Sequence, residues 1–159
     1  MPGPPSVPGD AAPLLEVRRV TKSYQPGGDA PPLAVLRDAS LVVRKGEAVA
    51  IIGPSGSGKS TLLNVVGTLD RPDAGEVWLD GQNLAGLDDD ALAAVRRDRV
   101  GFVFQSHHLL PHCTVLENVL VPVLAGHPAA TAAIERARSL LDRVGLSGRI
   151  DHLPGRLSG

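Results

Sequence analysis

The sequence predicts an α/β fold built around a phosphate-binding loop. An apolar run typical of a buried strand spans residues 47–52, a glycine-rich segment follows at 53–61, and apolar residues at helical spacing continue over 60–69. Strand, glycine loop and helix, in that order, form the setting in which the motif G-x-x-x-x-G-K-[ST] binds phosphate. The alternative is a Gly/Ser turn that merely contains a lysine, and the flanking elements argue against it.

The chemistry of this loop explains its residue types. Glycines tolerate positive φ, so the backbone can curl around phosphates. Its N–H groups then form a nest for anions at the positive end of the following helix. Lys59 adds a charge at the β- and γ-phosphates, and the Ser60 hydroxyl is placed to ligate Mg²⁺. The residues predicted to bind the nucleotide here are Gly53, Pro54, Ser55, Gly56, Ser57, Gly58, Lys59, Ser60 and Thr61.

Turn residues and apolar patterns divide the rest of the chain into elements. Residues 1–13 hold five prolines and predict a disordered leader. A helix is expected to begin near Asp88; Thr114 and Glu117 form a capping-box pattern, and Gly145 is expected to end the last helix. Strands are predicted at 14–20, 33–36, 40–43, 47–52, 76–79 and 100–104, a loop at 25–32, and further helices at 114–124 and 129–144.

Three adjacent aspartates, Asp88, Asp89 and Asp90, have two possible roles. As carboxylates they suggest a metal site, but contiguous residues on a helix point in different directions. At a helix N-terminus they complement the helix dipole, as do Arg96 and Arg97 at the other end. We therefore expect them to cap the helix.

Composition limits the function classes. The chain has 159 residues, of which 43% are hydrophobic and 21% charged, within the size of one domain. Its net charge of −1 gives no indication of nucleic acid as a partner. No apolar run approaches the ~20 residues of a membrane span, and the start lacks a signal-peptide pattern. Cys113 is the only cysteine, which fits a reducing compartment.

Motifs outside the loop point to one family. Tyr24 follows Thr-Lys-Ser, Gln105 follows Phe-Val-Phe, and the chain finishes with Leu157, Ser158 and Gly159. With the phosphate loop, these residues resemble the A-loop, Q-loop and opening of the L-S-G-G-Q signature of ABC-transporter ATPase domains. The resemblance implies that Tyr24 stacks on adenine, although packing at a strand end is the alternative. Tyr24→Ala should therefore weaken adenine binding modestly, and Tyr24→Phe should be nearly silent.

The resemblance also implies an architecture, cofactors and partners. The expected fold is a P-loop NTPase with a RecA-like parallel sheet core, an antiparallel β subdomain and the start of an α-helical subdomain at about 110–159. The cofactors are ATP and Mg²⁺, with Lys59 and Gln105 catalytic and Ser60 and Gln105 contacting the metal. In a homodimer, each signature would face the partner's phosphate loop. Integral-membrane transporter subunits would hold the dimer at the cytoplasmic face of the inner membrane as a peripheral subunit.

Further segments narrow the subgroup. Residues 67–70 with Pro72 and Gly75, together with 105–111 and 116–119, resemble lipoprotein-releasing (Lol-type), macrolide-export and cell-division ATPases. In this family the Asp-Glu strand (Walker B) and the switch histidine follow the signature, so we expect 14–159 to be a partial domain that is inactive alone. The alternatives are an ABC ATPase with a non-transport role, such as cell-division signalling or DNA repair, and a short non-catalytic nucleotide-binding module.

Overall fold

The computed structural model describes residues 12–28, 30–106, 108–124 and 131–157. The chain divides into two compact units, Met1–Phe102 and Val103–Gly159. The predicted leader falls mostly on residues 1–11, outside the described part, but its last residue, Pro13, already begins a strand. Among the described helices, none is both long and apolar enough to cross a lipid bilayer.

The first unit contains a four-stranded antiparallel sheet. Its long strands β1 (Pro13–Tyr24) and β2 (Leu33–Arg44) pair with each other, and β3 (Ala74–Leu79) pairs with the other side of β1. A two-residue strand, β4 (Gln82–Asn83), completes the order β2-β1-β3-β4. The strands predicted at 14–20 and 76–79 are therefore confirmed.

Two helices pack on this sheet through a small aliphatic core. Helix α1 (Lys59–Val66) follows the glycine loop, and α2 (Asp89–Arg99) follows β4. α2 begins as predicted, because the Asp88 side chain accepts a hydrogen bond from Ala91 N at 2.8 Å. The core residues are Val17, Val20, Leu36, Val65, Val77, Leu84, Leu92 and Val95.

The second unit is helical. Helices α3 (Val115–Leu124) and α4 (Thr131–Arg143) are followed by two short 3₁₀ helices, Ser147–Arg149 and Pro154–Arg156. The capping box is confirmed, because Thr114 N donates to Glu117 Oε2 (2.6 Å) and Glu117 N donates to Thr114 Oγ1 (3.2 Å). Gly145 terminates the last helix as predicted: α4 ends at Arg143, Gly145 has φ +75°, and the N–H groups of Gly145 and Leu146 donate to carbonyls of the last turn, as in a Schellman motif.

The two strands predicted at 33–36 and 40–43 are one strand. Arg37 and Asp38, which lie between the two predicted segments, are inside β2. The pairing shifts there, since Val20 faces Ala39 and Lys22 faces Leu36, which leaves one extra residue on β2. Asp38 has φ +54°, so the polar segment forms a bulge and the strand continues past it.

The strand predictions at 47–52 and 100–104 are wrong for the described structure. Neither segment is assigned to a strand, and every ladder among the described residues is antiparallel. Ile52 is 90% exposed and Val103 fully exposed. The apolar pattern identified segments suited to burial, but a strand exists only where a neighbouring backbone completes its hydrogen bonds.

Candidate nucleotide-binding site

The glycine loop has the backbone shape that the motif requires. Gly56 (φ +79°) and Gly58 (φ +87°) adopt left-handed conformations, which cost other residues about 1–2 kcal/mol. Gly58 is also the N-cap of α1 and has no side chain with which to cap it. The first N–H groups of a helix have no acceptor within the helix, so the loop and α1 together offer donors for an anion.

Lys59 lies over its own loop. Its ammonium group donates to the carbonyl oxygens of Gly53 (3.0 Å) and Pro54 (2.7 Å) and lies 3.4 Å from Ser57 Oγ. These bonds close the loop around the lysine. To bind phosphate, the ammonium must exchange at least one of them for a phosphate oxygen.

The loop is docked on strand β2. A Cβ placed on Gly58 would lie 3.0 Å from the carbonyl oxygen of Val35 and 3.1 Å from its Cγ1, so the helix start lies so close to β2 that a side chain there would force its neighbours to shift. The residues on either side of Val35 pair with β1: Ala34 faces Ser23 and Leu36 faces Lys22. Tyr24, the last residue of β1, therefore lies at the same end of the sheet as the phosphate loop.

A polar cluster surrounds Tyr24. The Tyr24 hydroxyl donates to Asp70 Oδ2 at 2.7 Å, and Lys22 Nζ donates to Asp70 Oδ1 at 2.7 Å and to the Arg71 carbonyl at 2.7 Å. Lys22 Nζ also lies 5.3 Å from the centre of the Tyr24 ring. No sequence motif indicated Lys22 or Asp70 as a site residue. Residues two apart in a strand lie on the same face, so Lys22 could have been predicted to lie beside Tyr24. Asp70 is 46 residues from Tyr24 in the sequence, and no local pattern connects them.

The charges of this cluster stabilise each other. Burial disfavours the ionised form of Asp70, but the hydrogen bonds from Lys22 and Tyr24 outweigh it and lower the pKa of this carboxyl. The hydrogen bond to Asp70 raises the pKa of Lys22, against a smaller effect of its burial. Both groups are therefore charged at neutral pH.

The remaining predicted site residues lie in the second unit or outside the described chain. Gln105 is exposed at a bend, and Leu157 directly follows the last 3₁₀ helix, with its N–H donating to the Pro154 carbonyl. Ser158 and Gly159, the rest of the partial signature, lie outside the described residues.

The loop, its lysine and the helix it opens define a class: a P-loop protein, built to hold the phosphates of a nucleotide. The family follows from comparison with known proteins. Residues 36–159 match the family described as ABC transporter. The chain belongs to this family, which confirms the resemblance drawn from its motifs.

Curated relatives belong to the predicted subgroup. The chain is 48% identical over 147 residues to the lipoprotein-releasing system ATP-binding protein LolD of Roseobacter denitrificans, covering 92% of this chain and 64% of the relative. It is 50% identical over 148 residues to the macrolide export ATP-binding/permease protein MacB 1 of Yersinia pestis bv. Antiqua, covering 93% of this chain and 22% of that protein. The chain thus spans less than two thirds of these relatives.

A solved structure confirms the fold class. The ATP-binding cassette MJ0796, determined as a dimer in a post-hydrolysis state bound to ADP and Pi, superimposes with a TM-score of 0.80 at 40% identity. The match covers 91% of this chain and 63% of that one. The chain is therefore a partial α/β P-loop NTPase fold with an antiparallel sheet.

Proposed function

We propose that this chain binds MgATP through residues 53–61. The observation that carries the proposal is the loop itself: Gly56 and Gly58 in left-handed conformations, Gly58 at the uncapped start of α1, and Lys59 above the loop. Donors and charge converge there, as polyphosphate binding requires. Ser60, the second residue of α1, would hold Mg²⁺, which supplies charge neutralisation of the phosphates when bound.

We also propose which residues contact the adenine base and, besides Ser60, the Mg²⁺ ion. Tyr24 would stack on adenine, because this residue is 39% exposed and is the last residue of β1, the strand that pairs with β2, on which the loop is docked. Gln105 would contact Mg²⁺ or the attacking water, since a side-chain amide offers both an acceptor and a donor. Lys59 and Gln105 are the residues proposed to be catalytic, each as the family resemblance implies.

In the whole protein, we infer an ATP-binding subunit of an ABC transporter of the lipoprotein-release or macrolide-export type. ATP binding and hydrolysis would drive integral-membrane subunits, with the ATPase peripheral at the cytoplasmic face of the inner membrane. Two ATPase subunits would pair so that Leu157, Ser158 and Gly159 of each face the phosphate loop of the other. The names of the relatives and the dimeric cassette structure support this assignment.

Calorimetric titration of MgATP into the Lys59→Ala variant tests the binding proposal. Losing a charged donor to phosphate should weaken MgATP binding by about 10- to 100-fold, the range expected for one such contact. Lys45→Ala is the matched control, because Lys45 is exposed in the turn after β2. It should bind MgATP as the unmodified protein does. Equal affinity in both variants would contradict the role assigned to the loop.

Hydrolysis is proposed only for a chain that continues past the signature. The chain spans less than two thirds of its curated relatives, and ATP hydrolysis would be measured in parallel on the 159-residue chain and on the protein expressed from the complete reading frame. A 159-residue protein that hydrolysed ATP at the rate of a complete transporter ATPase would contradict the expectation that this stretch alone is inactive.

A further inference from the structure

A closed series of backbone hydrogen bonds, one close contact and one side-chain hydrogen bond connects Tyr24 with the phosphate loop. One part of this series runs through the sheet, from Tyr24 along the β1–β2 ladder to Val35, against which Gly58 is docked. The other part runs through α1, whose N-terminus is the phosphate loop. The Asp70 carboxylate, beyond the C-terminal end of α1, closes the series by accepting the hydrogen bond of the Tyr24 hydroxyl.

Asp70 is itself held firmly to α1. The N–H of Asp70 donates to the Asn64 carbonyl at 3.2 Å, and the preceding amide, of Leu69, donates to the same oxygen at 2.8 Å. Asp70 Oδ1 also accepts from the N–H of Arg71 at 2.8 Å. Because backbone and side chain are both fixed, the carboxylate has a defined position relative to the helix that carries Lys59.

Lys22 holds the carboxylate from the strand side. Its side chain is only 12% exposed, and the Asp70 side chain is 28% exposed, so this pair is better shielded than a surface ion pair. Lys22 Nζ also lies 3.7 Å from Asp73 Oδ1, while Asp73 Oδ2 accepts the N–H of Ser23. The strand end that carries Tyr24 is thus bonded on both backbone and side-chain atoms to the segment after α1.

We propose that Asp70 and Lys22 are positioning residues that fix the Tyr24 ring relative to the phosphate loop and so set the fit of the adenine base. The inference rests on the proposed role of Tyr24 in stacking. It adds that stacking depends on the Tyr24 hydroxyl, because a phenylalanine ring has the same face but no bond to Asp70. The expectation that Tyr24→Phe is nearly silent changes accordingly.

The test compares two ligands in the protein expressed from its complete reading frame: MgATP, and magnesium tripolyphosphate, which lacks the base. Tyr24→Phe and Asp70→Ala should each weaken MgATP binding about two- to tenfold, the effect of one hydrogen bond. Neither should change tripolyphosphate binding. The double variant should be no weaker than the single variants, since both remove the same interaction. Asp98→Ala, at an exposed pair on α2, is the control and should behave like the unmodified protein.

Each other outcome overturns the inference. If Asp70→Ala weakens both ligands equally, Asp70 acts on the fold or the phosphates and does not position the base. If Tyr24→Phe binds MgATP normally, the hydroxyl has no positioning role, and this variant, which removes a single exposed oxygen, remains informative should Asp70→Ala fail to fold. Tyr24→Ala separates the two proposals: normal MgATP binding by that variant contradicts adenine stacking itself, whereas weak binding with a silent Tyr24→Phe contradicts only the positioning.

Discussion

Two apolar stretches separated by one turn adopt different structures. Residues 33–44 form β2, paired along its length with β1. Residues 47–52, after the turn at Lys45 and Gly46, carry an equally apolar run, yet they form no ladder and leave Ile52 90% exposed. Both belong to the first unit, and both patterns predict strands.

The difference shows what an apolar pattern specifies and what it omits. It specifies that side chains gain free energy when they leave water. It does not supply the neighbouring backbone that satisfies N–H and C=O groups. β2 has that neighbour because β1 precedes it and can pair with it in an antiparallel ladder. Residues 47–52 have no such partner among the described residues.

Alanine substitutions in the two stretches should have very different effects on the free energy of unfolding. Leu36 on β2 is 6% exposed and belongs to the core, so Leu36→Ala should cost roughly 2–5 kcal/mol of unfolding free energy. Ile52→Ala, at a 90% exposed side chain, should change it by less than about 0.5 kcal/mol. Urea denaturation measures both. A loss at Ile52 as large as that at Leu36 would mean that residues 47–52 are buried as β2 is, contrary to the exposure of Ile52 in the structure.

A smaller effect is expected where the loop meets β2. Gly58 and Gly46 have similar conformations, with φ of +87° and +81°, so alanine at either position should cost about 1–2 kcal/mol from backbone strain. Only at Gly58 would the new Cβ also meet an obstacle, the Val35 carbonyl oxygen at 3.0 Å; at Gly46 nothing lies within 4 Å. Gly58→Ala should therefore be the more destabilising variant in urea titrations. Equal losses would show that the loop is not docked on β2.

The sequence could predict whatever depends on neighbours along the chain. The glycine loop, the start of α1, the Asp88 cap and the Thr114–Glu117 capping box are local, and each forms as expected. Pairing between distant segments could not be read in the same way. The bulge that joins the two predicted strands at 33–36 and 40–43 depends on the register with β1. The hydrogen bond from Tyr24 to Asp70 joins residues 46 positions apart, and no sequence motif links them.

A still smaller effect on the free energy of unfolding is expected from the Asp70–Lys22 ion pair, and it should depend on pH. The lowered pKa of Asp70 means that its stabilising contribution is complete above the ordinary carboxyl pKa of about 4 and is lost as the pH falls through the folded-state value. The raised pKa of Lys22 gives the opposite limit: its contribution is complete below the ordinary lysine value and is lost only as the pH rises through the higher folded-state value. The contribution of the pair should therefore be flat at neutral pH.

Urea midpoints measured from pH 6 down to pH 2 test the acid side of this prediction. Asp70→Asn should be less stable than the unmodified protein at pH 6, and the difference should shrink as the pH falls, because protonation then removes the same charge from the native residue. Asp98→Asn is the matched control: Asp98 pairs with Arg97, but both side chains are about half exposed, so solvent screens the pair and its pH profile should stay close to that of the unmodified protein. A constant difference between Asp70→Asn and the unmodified protein across this range would show that the Asp70 charge contributes nothing, and that only its shape and hydrogen-bond acceptors join β1 to the end of α1.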